Sequence, residues 1–315
     1  METIRAGVVG VGHLGYHHAR HYAALPGVEL VGVADPDGAN RTRAAEEFTV
    51  PGFSEAAGLL EMGLDAMSVV TPAGTHHDVV LPLLQAGVHV LVEKPIATTP
   101  LEGETMVAVA KAHGCLLQVG HLERFNGAVV ALAEAVRSPR FIECHRMSPY
   151  PMRSLDVSVV LDLMIHDLDV VLSLVPSPVE MLDATGVAVF SEAEDIASVR
   201  LRFACGCVAN LTASRVSMER VRKIRVFEER AYLSADYMEQ TVRVYRKGDG
   251  AAGGNPMDRI EVSTLAVERT DPLQRELASF IDCVRTGRAP LVPGEEGVRA
   301  LDLAQRVTDF IRTHR

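Results

Sequence analysis

From Ile4 to about Gly120, short apolar runs alternate with longer amphipathic stretches. The runs Ile4 to Val9, Leu30 to Ala34, Ala66 to Val70, His89 to Val92 and Leu116 to Val119 have the length and continuity of strands buried on both faces. Between them, Leu14 to Ala24, Asn40 to Phe48, Thr75 to Gln85 and Leu101 to Ala112 carry apolar residues at helical spacing. Strict alternation of the two predicts βαβ units, and so a parallel sheet with helices on both faces. Gly87 and Gly114 each stand just before a strand, where a helix C-terminal cap is expected.

Beyond Arg124 the pattern changes to strand-like segments joined by turns: Phe141 to Arg146, Ile196 to Phe203, Val208 to Ser214, Lys223 to Phe227, Ala231 to Ala235, Thr241 to Arg246 and Arg259 to Ala266. An antiparallel sheet is the natural product, with Cys205-Gly206 at a hairpin and residues 248–255 as a surface loop. Two helical patterns follow, Pro272 to Val284 and Glu295 to Ile311. The expected α/β organisation is a Rossmann domain over residues 1–122 and a C-terminal α+β domain over 123–315, built on a large, mostly antiparallel open sheet. The last helix, about 295–312, is expected to return to the first domain.

Composition narrows the class. A chain of 315 residues suits two domains better than one core. Its 41 acidic against 31 basic residues give a charge of -10, the wrong sign for neutralising the phosphates of a nucleic acid. No apolar run is long enough to span a bilayer, and nothing near Met1 has the basic lead-in of a signal peptide. Five scattered cysteines fit reduced thiols in the cytoplasm. An open sheet invites pairing with a second copy, so a homodimer or homotetramer through the C-terminal sheet is expected.

The candidate chemistry sits at strand ends. Gly10-Val11-Gly12-His13-Leu14-Gly15 joins the first strand to the first helix. There Gly10 permits a tight turn, Gly12 admits a pyrophosphate to the backbone, and Gly15 lets helix and strand pack closely. Asp35, ending the second strand, is placed to accept ribose hydroxyls and would repel a 2′-phosphate, which favours NAD over NADP. Thr71-Pro72-Ala73-Gly74-Thr75-His76 and Glu93-Lys94-Pro95 follow two further strands, at the sheet edge where such folds bind ligands. Asp162, His166 and Asp169, spaced by four and three, share one face of an α-helix, where Asp162 can orient the His166 imidazole. His17, His18 and His21 include an i, i+4 pair but lack a third ligand, so no metal is expected.

Together these segments resemble the Gfo/Idh/MocA family of oxidoreductases. The resemblance implies that Lys94 reaches the nicotinamide, that Thr71, Pro72, His76 and Glu93 belong to the cofactor site, and that His166 lies beside the reacting carbon. Ser158-Val159-Val160 stands where the family often has a Gly-Gly pair. Residues 118–126 (QVGHLERFN), 146–153 (RMSPYPMR) and 210–215 (NLTASR) resemble the branch of the family that oxidises C3 of UDP-N-acetylglucosamine for the 2,3-diamino sugars of lipid A. A nucleotide-sugar diphosphate calls for arginines, and Arg124, Arg153 and Arg215 are the candidates, with Asp162 and His166 beside the sugar. Either His166 or Lys94 can take the hydroxyl proton, and His166, which titrates near neutrality unaided, is the better base. An imidazole and an ammonium meeting over one nicotinamide ring is the arrangement this reading expects. A free polyol or inositol as substrate and a non-catalytic NAD-sensing regulator remain as alternatives.

Overall fold

Six strands build the first sheet, the inner ones apolar on both faces, because each returns through a helix on one face or the other. In the computed structural model, which describes residues 3–150, 157–248 and 260–314, the chain divides into two compact units. Met1–Leu122 and Asp271–Leu301 make one, and Glu123–Thr270 and Asp302–Arg315 the other.

Unit 1 runs β1 (Ile4–Val9), α1 (His13–Ala24), β2 (Val28–Ala34), α2 (Gly38–Phe48), β3 (Gly52–Phe53), α3 (Ala56–Leu60), β4 (Ala66–Val69), α4 (His76–Gln85), β5 (His89–Glu93), α5 (Pro100–Ala112) and β6 (Leu117–Gly120). The order β3-β2-β1-β4-β5-β6, parallel throughout, puts the switch point between β1 and β4, where chain direction across the sheet reverses. Gly87 and Gly114 adopt φ of +83° and +66°, the left-handed caps that their positions called for. Thr99 opens α5 with a capping box to Glu102.

Unit 2 holds α6 (Gly127–Ala135), β7 (Phe141–Met147), α7 (Ile165–Leu174), β8 (Val179–Val187), β9 (Ile196–Phe203), β10 (Val208–Ser214), β11 (Val221–Phe227), β12 (Ala231–Asp236), β13 (Thr241–Lys247) and β14 (Ile260–Thr264). Its eight strands lie in the order β14-β13-β12-β11-β7-β10-β9-β8. Every pair is antiparallel except the central β7–β10, which is parallel because the chain crosses from β7 through α7 to the edge strand β8 and comes back through β9 to β10. The helices α6 and α7 pack on one face of this sheet. The pattern had missed β3, α3, α6 and β8. β8 is an edge strand whose side chains are nowhere fully buried, so it lacks the apolar signal of an inner strand.

Two helices complete the chain, α8 (Pro272–Thr286) and α9 (Gly294–Thr313). The return to unit 1 begins with α8, ahead of the last helix: Leu273, Leu277, Phe280 and Ile281 lie on one stripe and join the apolar cluster around Val8, Ala19 and Tyr22. The division between units then falls within α9, after Leu301. Among the described residues no helix is long and apolar enough to cross a membrane.

Candidate active site

The glycine loop between β1 and α1 is shaped by what its neighbours exclude. Gly10 has φ +82°, and a Cβ there would lie 2.5 Å from the Val70 carbonyl oxygen. A Cβ on Gly15 would sit 1.7 Å from the carbonyl oxygen of Gly10, so helix and loop touch backbone to backbone. Gly12 is the opposite case, with nothing within 4 Å of a Cβ. It is also the N-cap of α1, a helix with no side-chain cap and no acid in its first turn. Donor groups at the helix start, including those of His13 and Leu14, therefore border an open cradle suited to an anion.

Asp35 follows β2 and is 7% exposed. Its Oδ2 accepts from the Val11 N–H at 2.8 Å and its Oδ1 from the Asp37 N–H at 2.8 Å. The carboxylate is thus fixed against the glycine loop, and each oxygen retains a further acceptor site for a ribose hydroxyl. An open cradle at a helix terminus and an anchored acid beside it fit a dinucleotide, with Gly10, Gly12, His13, Leu14 and Gly15 at the pyrophosphate and Asp35 at the ribose.

At the neighbouring strand ends, the structure gives His76 a task different from touching a ligand. Its ring is buried, with Nε2 2.8 Å from the Thr71 carbonyl oxygen and Nδ1 2.9 Å from that of Pro95. It lies between the loop after β4 and the loop after β5, and the neutral ring donates its one N–H to one of the two carbonyls. Burial pushes its pKa down against the opposing pull of those two carbonyls. Glu93, at the end of β5, also turns inward: its Oε1 is 3.2 Å from Nε2 of the fully buried His18, and its Oε2 accepts from the Lys94 N–H at 3.3 Å. Gly120 leaves room for it, since a Cβ there would come within 2.9 Å of the carboxyl group. Thr71 and Lys94 are half-buried and Pro72 is exposed on the same strand-end edge.

In unit 2, the helix bearing the signature starts with a π turn over Val160–Met164 and becomes α-helical at Ile165. Asp162 lies in the π turn, so the spacing of four to His166 does not translate into one α-helical face. The face argument holds for His166 and Asp169 alone. Ser158 frames the start, its Oγ accepting from Val160 N–H at 3.2 Å and its carbonyl from Asp162 N–H at 3.0 Å. His166 and Asp162 are half-buried, and the buried Asp169 accepts from Arg124 Nη1 at 3.4 Å.

Arg215 is a correction. It is fully buried, with Nε donating to Asp195 Oδ1 at 2.8 Å, Nη1 to the Val157 carbonyl at 2.6 Å and Nη2 to Ser191 Oγ at 2.8 Å. A guanidinium so occupied braces the Ser191–Asp195 loop and has no face for a diphosphate. Arg153 lies outside the described residues. The sequence reading missed Glu123, Arg146 and Asp167, which form a buried charged group beside Arg124 and His166. The alternation of β7 offered the signal, because Ile142, Cys144 and Arg146 all fall on its inward side. Among the described residues no group of three His, Cys, Asp or Glu side chains is arranged to hold a metal ion.

Comparison with known proteins places this geometry. Residues 4–121 match the Gfo/Idh/MocA oxidoreductase family with its NAD-binding Rossmann fold, and residues 134–234 match the C-terminal domain of the same family. The chain is 37% identical over 308 residues to UDP-N-acetylglucosamine 3-dehydrogenase of Acidithiobacillus ferrooxidans, covering 98% of this chain and 97% of that one. A solved structure of that enzyme superposes with a TM-score of 0.93 at 35% identity over 99% of both chains. Similarity to scyllo-inositol 2-dehydrogenase (NAD(+)) of Bacillus subtilis is lower, 26% over 99% of this chain and 95% of that one. Both halves of the fold and the glycine loop with its anchored acid thus agree: the chain belongs to the Gfo/Idh/MocA family of oxidoreductases, and its cofactor is NAD.

Proposed function

We propose that this chain oxidises the C3 hydroxyl of UDP-N-acetylglucosamine to a ketone with NAD, supplying the 3-keto sugar nucleotide for the 2,3-diamino sugars of lipid A. The observation that carries the reading is the 37% identity to UDP-N-acetylglucosamine 3-dehydrogenase along nearly the full length of both chains, against 26% for the inositol dehydrogenase.

NAD, when bound, accepts the hydride released from C3. His166 takes the hydroxyl proton as general base, since an imidazole titrates near neutrality without help. Lys94 supplies a positive charge for the oxygen as it becomes an alkoxide. Arg124, held by Asp169, is the diphosphate ligand offered by the described residues. Glu93 and His76 serve from behind, fixing the loops that carry Lys94 and Thr71.

The same reading puts the protein in the cytoplasm, in keeping with five free cysteines. It also assigns the sheet face opposite α6 and α7 to contact with a second copy. That face presents the stacked rings of Phe227, Tyr232 and Tyr245, with centroids 4.8 Å apart in each step.

The test is NADH formation by the purified protein with UDP-N-acetylglucosamine and, separately, with myo-inositol, and mass analysis of the product. A sugar nucleotide lighter by two hydrogens, with inositol inert, supports the proposal. Turnover of inositol alone refutes it, and inertness toward every sugar revives a regulatory role.

A further inference from the structure

Unit 2 buries a charged group that the proposed reaction does not use directly. Arg146, 3% exposed, donates from Nε and Nη2 to the two carboxylate oxygens of Asp167 at 2.8 and 3.0 Å, and from Nη1 to Glu123 Oε1 at 2.9 Å. Asp167 is 3% and Glu123 8% exposed. Asn126 continues the network, donating from Nδ2 to Glu123 Oε2 at 3.3 Å and to the Tyr237 carbonyl at 3.0 Å. The Tyr237 ring lies 5.7 Å from the guanidinium carbon. Burial works against the Arg146 charge, but the Asp167 and Glu123 carboxylates outweigh it and raise its pKa.

Stability alone does not call for such a group, because well-packed apolar side chains of similar volume hold a core as well as a buried ion triad or better. Its placement does suggest a role. Asp167 immediately follows His166 on α7, and Glu123 immediately precedes Arg124 in the turn of residues 122–125. Arg124 in turn donates to Asp169, two residues beyond Asp167. One guanidinium on β7 therefore joins the helix bearing the proposed base to the turn bearing the proposed diphosphate ligand. A lysine cannot reproduce this, since its single ammonium lacks the planar fork that grips Asp167 with two bonds while reaching Glu123 with a third.

We propose that Arg146 is a positioning residue that fixes the spacing between His166 and Arg124 by holding Asp167 and Glu123 at once. The inference rests on the roles proposed above for those two residues. Loss of the fork loosens both substrate contacts together and leaves the cofactor loops of unit 1 untouched.

The test compares Arg146→Lys with the apolar triple Glu123→Gln, Arg146→Met, Asp167→Leu, and also records the ring signals of His166 by histidine-selective NMR, assigned with His166→Asn. In Arg146→Lys, kcat/KM for UDP-N-acetylglucosamine should fall about 30-fold, as expected for slight misplacement of reacting groups, with the NAD dissociation constant held within about twofold. The triple variant should melt at or above the wild-type temperature and show the same catalytic loss. Wild-type kcat/KM in a folded triple variant overturns the inference, as does kcat/KM within about threefold of wild type in Arg146→Lys. If neither variant folds, the network is structural and the inference fails. If the wild type itself does not oxidise the sugar nucleotide, the functional proposal fails separately. The His166 signals then decide: displaced in Arg146→Lys they sustain the positioning role, unmoved they end it.

Discussion

The Nε2 of His18, fully buried on α1, lies 3.2 Å from Oε1 of Glu93 at the end of β5. The residue before Lys94 is therefore anchored from inside unit 1, and its second oxygen receives the Lys94 N–H. Replacing His18 with Leu removes a close contact, outside hydrogen-bond alignment, from a buried carboxylate, a loss of about 1 kcal/mol. Thermal melting of His18→Leu should show that loss, and turnover should fall while NAD still binds. An unchanged melting temperature would mean that Glu93 is held by other contacts.

The glycine loop separates two kinds of damage. Gly12→Ala meets nothing within 4 Å, so stability should stay within about 0.5 kcal/mol, while the NAD dissociation constant rises at least about tenfold because the methyl group occupies the cradle. Gly15→Ala collides with the Gly10 carbonyl oxygen and should lower the melting temperature as well. Equal effects of the two substitutions in melting and in NAD titration would count against the assignment.

Arg215 gives the opposite pattern to a substrate ligand. Arg215→Ala removes the bonds to Asp195, Ser191 and Val157 while Asp195 keeps those from the Val189, Phe190 and Ser191 N–H groups, and should cost about 1.5–3 kcal/mol, read in denaturant unfolding. A stable Arg215→Ala protein with only a raised KM for the sugar nucleotide would restore it to the binding site.

Much of this was legible in the chain. Asp35 and the three loop glycines lie where strand-to-helix spacing puts them, whereas Arg146, on the inward side of β7, was a signal that the reading passed over. What periodicity could not show was the partner of a given side chain. The hairpin at Cys205-Gly206 sets Asp195 opposite Arg215, but register does not show that the two side chains turn toward each other, and nothing in the spacing of Asp162 and His166 reveals a π turn. The resemblance put His76 and Glu93 in the cofactor site, and strand-end position says which edge a residue occupies, not which way its side chain turns.

Acid should weaken unit 1. Burial lowers the pKa of His76 and His89, and His89 Nδ1 accepts the Leu116 N–H at 2.9 Å, a bond that protonation of that nitrogen would break. In the unfolded chain both rings take a proton near the ordinary histidine value of about 6.5, so the unfolded state binds more protons as the pH drops. Stability is therefore full above that value and declines below it, by up to about 1.4 kcal/mol per pH unit for each such ring. Melting between about pH 7 and pH 5 should show the decline, less steep in His89→Asn. An identical slope in the variant would exclude His89 as a source.

The proposed pairing face can be broken at its centre. Tyr232 stacks on both Phe227 and Tyr245, so Tyr232→Asp should convert the assembly to monomers in light scattering while the isolated chain remains folded. Unchanged mass would move the interface elsewhere.

The most direct test of the account is the turnover of His166→Asn with NAD and UDP-N-acetylglucosamine, measured beside its NAD dissociation constant. Loss of a general base predicts a fall in kcat of about 10²–10⁴ with NAD affinity unchanged. Turnover at the wild-type rate would contradict the assignment of His166 and, with it, the proposed mechanism.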